Sequence, residues 1–409
     1  MINSGDTAFI LLSAGLVMLM TPGLALFYGG MVRRKNVLSV LMQCFAMLCV
    51  LSIQWMLFGY SLSFAPGNGF IGGLQWFALN GVGLEAYPDY ASTIPHQAFM
   101  IFQAMFAVIT PALIIGAFAE RMKFSAFMVF GLLWATLVYD PVAHWVWGTG
   151  GWLRSMGTLD FAGGIVVHTT AGIAALVMAL VIGRRKGYKD QPMPPHSLTF
   201  TALGAALLWF GWFGFNAGSA LSAGGLAVTA FVNTNAAAAA AGLTWFVIEW
   251  VYNEKPTTFG VITGSIAGLA TVTPASGYIT PFSAVAIGIA ASSVCFLAVS
   301  KIKPRLGYDD SLDAFGVHGV GGILGTILAG VFALKSINPA GADGLLAGNA
   351  SQLFVQIKAV GAVTLYTLVM TFAIYKFVDI ILGIRVSEKD EVLGLDLTQH
   401  REGAYTVLE

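Results

Sequence analysis

The chain has 409 residues, 57% of them apolar and only 10% charged, with a mean hydropathy of +0.79. Twenty acidic and twenty basic residues are too few to clothe a water-soluble fold of this length, so the composition excludes a soluble globular protein and points to an all-α polytopic membrane protein. A net charge of zero leaves no general attraction to nucleic acid.

The opening MINSGDTAFILL lacks the basic stretch of a cleavable signal, so the first apolar run is expected to remain as a span. Eleven apolar segments follow in chain order, near 7–31, 37–60, 97–119, 124–147, 161–182, 198–219, 226–251, 258–273, 279–301, 314–334 and 351–384. The last is longer than a bilayer requires and is expected to tilt or project inward. Residues 61–96 form the longest loop on the side of the N-terminus, and 385–409 form a short polar tail with no room for an effector domain.

An odd number of spans puts the two ends of the bundle on opposite sides. Arg154, Lys335 and Lys358 are the basic residues on the N-terminal side, against seventeen on the other, from Arg33, Arg34 and Lys35 through Arg184, Arg185 and Lys186 to Arg401. The bias predicts an N-terminus outside and a cytoplasmic C-terminus.

Spans 1–5 (about 7–182) and 6–10 (about 198–334) can be set against each other as two halves, with 351–384 as an added eleventh helix. A five-span unit must run inverted relative to its copy. Span 5 carries Asp160-Phe-Ala-Gly-Gly and then His168; span 10 carries Asp313-Ala-Phe-Gly and then His318. Inversion would bring the two histidines together near the midplane.

A single histidine at that depth has two readings, a tie between helices or a pathway residue. A second one at the matching place of the other half favours the pathway, because two imidazoles can form a polar track and share a proton. A metal centre has too few ligands here, and no cofactor is expected. Cys44, Cys49 and Cys295 all fall in apolar runs and suggest neither a disulfide nor a zinc site.

Asp160 sits where it can cap a helix start, leaving negative charge near the outer mouth, and Asp313 invites the same reading on the inner side. Asp140 beside Pro141 is expected to break span 4; spacing assigns it no role. Phe102 and Phe106 share a helix face, Trp147 at the outer end of span 4 can cover a cation with its ring, and Trp212, Phe215 and Ser219 form one stripe. Such a stripe is more often core packing.

Several stretches together resemble the ammonium transporters (Amt, Mep and Rh proteins), and among them the bacterial Amt proteins. They are GLALFYGGMVRRKN (23–36), FQAMFAVITPALIIGAFAERM (102–122), DFAGGIVVHTTAG (160–172), GWFGFNAGS (211–219), AFVNTN (230–235), GLATVTPASGYI (268–279), DAFGVHGVGG (313–322) and LGLDLTQHREGAY (393–405). The resemblance implies eleven helices with inverted five-helix repeats and a homotrimer with one pore per subunit, in the inner (plasma) membrane. It implies an outer ammonium site of Trp147, Ser219 and Phe102, a gate of Phe106 and Phe215, and a hydrogen-bonded His168–His318 pair lining the lumen. Trp212 would pack beside that pair, and Asp160 would support the outer site without touching the ion. Ammonium would lose its proton at the desolvated pore entrance and cross as ammonia, the proton following separately.

The family's tail has glycine after its histidine, whereas this chain has His400-Arg401-Glu402. Glycine permits backbone conformations that arginine resists, which bears on docking of a PII-type signal protein at the cytoplasmic face. An ammonium-sensing receptor acting through the tail and a passive channel for ammonia or carbon dioxide are the competing readings. No nucleophile–base pair suggests an enzyme.

Overall fold

The computed structural model describes residues 1–405, and these form no strand, only helices, turns and three isolated bridges. Ten helices are long and apolar enough to cross a membrane: α1 Ser4–Met31, α2 Arg34–Phe64, α3 His96–Phe118, α4 Phe124–Ser155, α5 Gly164–Val181, α6 Leu198–Gly218, α7 Gly225–Asn253, α9 Pro281–Leu306, α10 Phe315–Phe332 and α11 Ala350–Leu382. Between α7 and α9 lies a shorter apolar helix, α8 Thr258–Val272. A helix satisfies its own backbone hydrogen bonds, which is what lipid demands of a spanning segment. Two short helices, α12 Glu388–Leu393 and α13 Leu395–His400, make up the tail.

α3 is the centre of the bundle, 94% buried over its apolar window, whereas α11 is only 33% buried and lies on the periphery. Close approach is built from small residues, as expected where no water drives helices together. α1 and α6 meet this way: a Cβ added to Gly204 would lie 2.2 Å from Phe27 N, and one on Gly30 would lie 2.6 Å from Thr201 N.

α5 and α10 make a reciprocal contact. A Cβ on Gly172, four residues after His168, would lie 2.1 Å from Gly319 Cα, the residue after His318. A Cβ on Gly322, four residues after His318, would lie 2.7 Å from Thr169 N, the residue after His168. Both helices also open with a wider π-helical turn, Gly164–Thr169 and Phe315–Gly319, and each histidine sits in that turn.

Two expectations about the spans change. Asp140 and Pro141 do not break α4. A π-helical segment over Ala135–Tyr139 precedes Asp140, and the carbonyl of Leu137, which Pro141 cannot bond, accepts the Tyr366 hydroxyl of α11 at 2.7 Å. Asp140 itself is buried and accepts Gln54 Nε2 at 2.7 Å and Ser63 Oγ at 3.3 Å, so it ties α4 to α2. Nor does Asp313 cap α10. Asp310 does, accepting Ala314 N–H at 3.2 Å and Phe315 N–H at 2.8 Å, while Asp313 pairs with Lys303. Asp310 precedes His318 by the same eight residues that separate Asp160 from His168. The capping aspartate eight residues before the histidine is therefore a feature shared by Asp160 and Asp310, not by Asp160 and Asp313.

The tail is not a free appendage over its described length; residues 406–409 lie outside it. Ser39 N–H at the start of α2 donates to Asp396 Oδ1 at 2.8 Å, and Leu395 N–H donates to Asn36 Oδ1 at 2.8 Å. A carboxylate there meets the positive end of the helix dipole. Arg401 adopts a left-handed φ of 56°, a conformation glycine takes without strain, so arginine at this position still makes the turn after α13.

Candidate functional site

At one end of the bundle, opposite the tail, a vestibule of about 570 Å³ opens between the loops. Trp147, Ser219, Phe106 and Asp160 line it, together with Gln103, Tyr90 and Tyr278, which the sequence did not single out. Trp147 is fixed by its indole N–H, which donates to the Asp160 carbonyl at 2.9 Å, leaving its ring half-exposed. Ser219 donates its hydroxyl to the Phe215 carbonyl at 2.9 Å, so its lone pairs remain to accept.

Asp160 caps α5 from a distance. Its two oxygens take four backbone N–H groups, those of Gly163, Gly164, Ile165 and Val166, at 2.6–3.1 Å. Gly163, at φ 115°, makes the turn that aims them. Burial pushes the Asp160 carboxyl up to about 6 against those four donors, so it carries its charge at neutral pH. The loop leading to Asp160 is held by α11: Gln356 Oε1 accepts Leu159 N–H at 2.8 Å, and Gln356 Nε2 donates to Leu159 O at 2.7 Å.

Below the vestibule the rings form a file. Trp147 and Phe106 have centroids 6.0 Å apart, Phe106 and Phe215 4.3 Å, Phe215 and His168 5.9 Å, and His168 and His318 5.3 Å. Phe106 and Phe215 are in direct ring contact beneath the vestibule. Trp212 stacks on His168 at 5.4 Å and is anchored by its N–H on Thr273 Oγ1 at 2.9 Å. Past His318 a space of about 10 Å³, room for one water-sized molecule, is lined by Tyr28, Met31, Val317 and Asp313.

Phe102 differs from the expectation. It does not line the vestibule but lies one layer behind it, edge-on to Phe106 at 5.0 Å and against Gly218. Residue 102 shares a helix face with 106, but its ring is taken up by Gly218, which leaves the opening to Phe106. The histidine pair also differs. The rings lie nearly parallel, 18° apart, and make no hydrogen bond to each other. The close backbone approach at Gly172 and Gly322 sets the imidazoles side by side rather than edge to edge. Both ring nitrogens of His168 and Nδ1 of His318 are buried without a protein partner.

This site stands in a chain whose kinship is clear. The family model described as "Ammonium Transporter Family" matches residues 8–405. The chain belongs to the ammonium transporter family. It is 56% identical to an ammonium transporter of Bacillus subtilis over 98% of both chains, and 47% identical to the ammonium transporter Amt1 of Archaeoglobus fulgidus over 99% of this chain and all of that one. The crystal structure of Saccharomyces cerevisiae Mep2 superposes with a TM-score of 0.89 at 38% identity, covering 94% of this chain and 88% of Mep2. A solved structure described as a sensor Amt protein matches with a TM-score of 0.88 at 28% identity, over 97% of this chain and 98% of that one. Membership of this family accounts for the apolar bundle: the chain is a multi-pass membrane protein of a transporter family.

The opposite end of the bundle carries the charges. Glu120 lies between Arg33 and Arg185, with oxygen–nitrogen distances of 2.7 and 3.3 Å, and Arg185 also pairs with Asp309 at 2.8 Å. Burial would raise Glu120, but Arg185 and Arg33 hold it below the usual carboxylate range. Asp309 is held low in the same way, its burial outweighed by Arg185 and Arg121.

Proposed function

We propose that the protein recruits ammonium at the vestibule, strips its proton and passes ammonia along the file of rings. The observation that carries this reading is the buried, unpartnered nitrogens of His168 and His318 in an otherwise apolar path. A buried polar group without a partner is costly unless something else occupies it. Ammonia and water both can, as donor and as acceptor.

The steps follow from the geometry. The Trp147 ring and Ser219 hydroxyl oxygen attract the cation, and the Asp160 charge behind them favours it. Phe106 and Phe215 exclude water, and the apolar path disfavours a charged species. The ammonium ion releases one proton and becomes ammonia, which passes Phe215 and bonds to the imidazoles. The proton travels separately, through the imidazoles or water, and rejoins ammonia at the far side. Potassium has no proton to lose and is excluded by desolvation alone.

In this reading α8 is the eleventh crossing, and α1–α5 and α6–α10 are inverted halves. The reciprocal glycine contacts and the shared eight-residue spacing from aspartate to histidine support that relation. Residues 1–384 form the transport unit and 385–409 the cytoplasmic tail, with the N-terminus outside the plasma membrane. The family resemblance supports a homotrimer with a pore in each subunit and transport without catalysis. A PII-type signal protein docking at the tail remains part of this reading, supported by the family resemblance and by the left-handed turn that Arg401 makes.

The test is charge movement in proteoliposomes after an ammonium jump, in wild type and in His168→Ala. A sustained current that the variant loses, or that becomes potassium-permeable, is expected. Wild-type potassium conductance as large as that for ammonium would sink the mechanism. A second reading, an ammonium sensor, is favoured by the likeness to the sensor Amt protein. Bound ammonium without current or change of lumen pH would favour it.

A further inference from the structure

Gln103 lies on α3 between Phe99 and Phe106, four and three residues away, and all three line the vestibule. The residue is 9% exposed, its Oε1 is buried without a donor, and no atom of the amide makes a hydrogen bond within the protein. An amide in an apolar helix costs stability unless its groups are satisfied. Three other polar features of the vestibule have explicit partners. The Trp147 N–H is spent on the Asp160 carbonyl, the Ser219 hydrogen on the Phe215 carbonyl, and the Asp160 carboxylate on four backbone N–H groups. Thr158 Oγ1, also at the lining, is buried without a partner as well, but Gln103 is the amide there that no described residue fixes.

A side-chain amide can turn about its last bond without changing shape, so Gln103 can point its carbonyl oxygen into the cavity. Ammonium carries four N–H donors in a tetrahedral arrangement. An aromatic face and one hydroxyl oxygen satisfy two of those directions. From this geometry we infer that Gln103 is a second hydrogen-bond acceptor for ammonium in the vestibule, beside the Ser219 hydroxyl oxygen, and helps set its preference for ammonium over methylated amines and potassium. Methylammonium has one N–H fewer and potassium has none, so each gains less from a directed acceptor. The inference rests on the reading of the vestibule as an ammonium site.

The experiment measures binding and flux separately on the full-length protein. Ammonium chloride is titrated calorimetrically into the purified protein, with potassium chloride as the matched control, and uptake is followed in proteoliposomes. The variants are Gln103→Leu, Gln103→Met as a slimmer apolar replacement should the first fail to fold, and Gln103→Glu to restore an acceptor. We expect the apolar variants to bind ammonium three- to tenfold more weakly and to raise KM alike, with kcat at saturation retained. Their preference for ammonium over methylammonium should narrow, and Gln103→Glu should bind at least as tightly as wild type. Unchanged ammonium affinity in a folded apolar variant overturns the inference, as does a fall in kcat with KM unmoved, or a glutamate variant no better than leucine. Wild type that binds ammonium but moves none overturns transport and leaves the Gln103 contact to be judged by the titrations. Wild type that binds none overturns both.

Discussion

Around His168 and His318 buried ring nitrogens stand without protein partners, whereas at the tail side the fully buried Arg121 spends all five N–H donors on protein. Its guanidinium donates to the carbonyls of Ala117, Ala119, Gly183 and Asp309 at 2.6–3.2 Å and to Ser311 Oγ at 2.7 Å. Beside it, Glu120, Arg33, Arg185 and Asp309 neutralise one another. Both regions bury polar atoms, but one is closed to newcomers and the other is open. The contrast between the two is one of partnering, since burial alone is common to Arg121 and the histidines.

The largest effect should come from breaking the closed region. Glu120→Ala strands Arg33 and Arg185 and should cost about 3–5 kcal/mol, read as a lowered unfolding temperature in detergent. Acid should act on the same contacts more gradually. Because Glu120 and Asp309 are held below their usual range, the stability they contribute is full above the ordinary carboxylate values and is lost as pH falls through the depressed ones. Asp160, raised to about 6, adds a little native stability as it protonates, so the unfolding temperature should not drop between neutral pH and about the free glutamate value of 4.5 and should fall below it, with the fall blunted in Glu120→Ala. A steady decline beginning at pH 7 would place the sensitive groups elsewhere.

The open region should respond in reverse. His168→Ala removes an unpartnered group, so lost packing is offset by relief of an unmet polar atom. Its stability should change by no more than about 1 kcal/mol while its transport is transformed. A large drop in unfolding temperature would mean that the imidazole is structural, and the contrast would fail.

The smallest effect should have the opposite sign. Arg401→Gly removes a left-handed arginine and should stabilise the docked tail by about 1 kcal/mol. Slower proteolysis of the tail or slower amide exchange in α13 would register it.

Much of this arrangement is legible from residue chemistry alone. Apolar runs mark the spans, and histidines are conspicuous among residues fit for lipid. Trp147, Ser219 and Phe106, singled out from the sequence, do line one vestibule, and Phe215 stacks on Phe106 beneath it. What escapes the sequence depends on neighbours far along the chain. Whether Asp310 or Asp313 caps α10 turns on where the helix begins, which no composition reveals. Phe102 and Phe106 share a helical face, but only the packing of Gly218 decides which of them meets the cavity. That α4 runs through Pro141 depends on a hydroxyl from Tyr366, 225 positions later. Gln103 did leave a signal, a glutamine in an apolar helix, but polarity alone could not say whether the protein satisfied it.

The contact between Asp396 and the start of α2 joins residues 357 positions apart. A ribosome releases the second span long before it makes the carboxylate that caps it. Until that carboxylate arrives, the first amides of α2 lack this partner. The seam between tail and bundle thus closes among the last steps of biogenesis, and a product cut short before residue 395 would carry every candidate membrane span and still leave that seam unlatched.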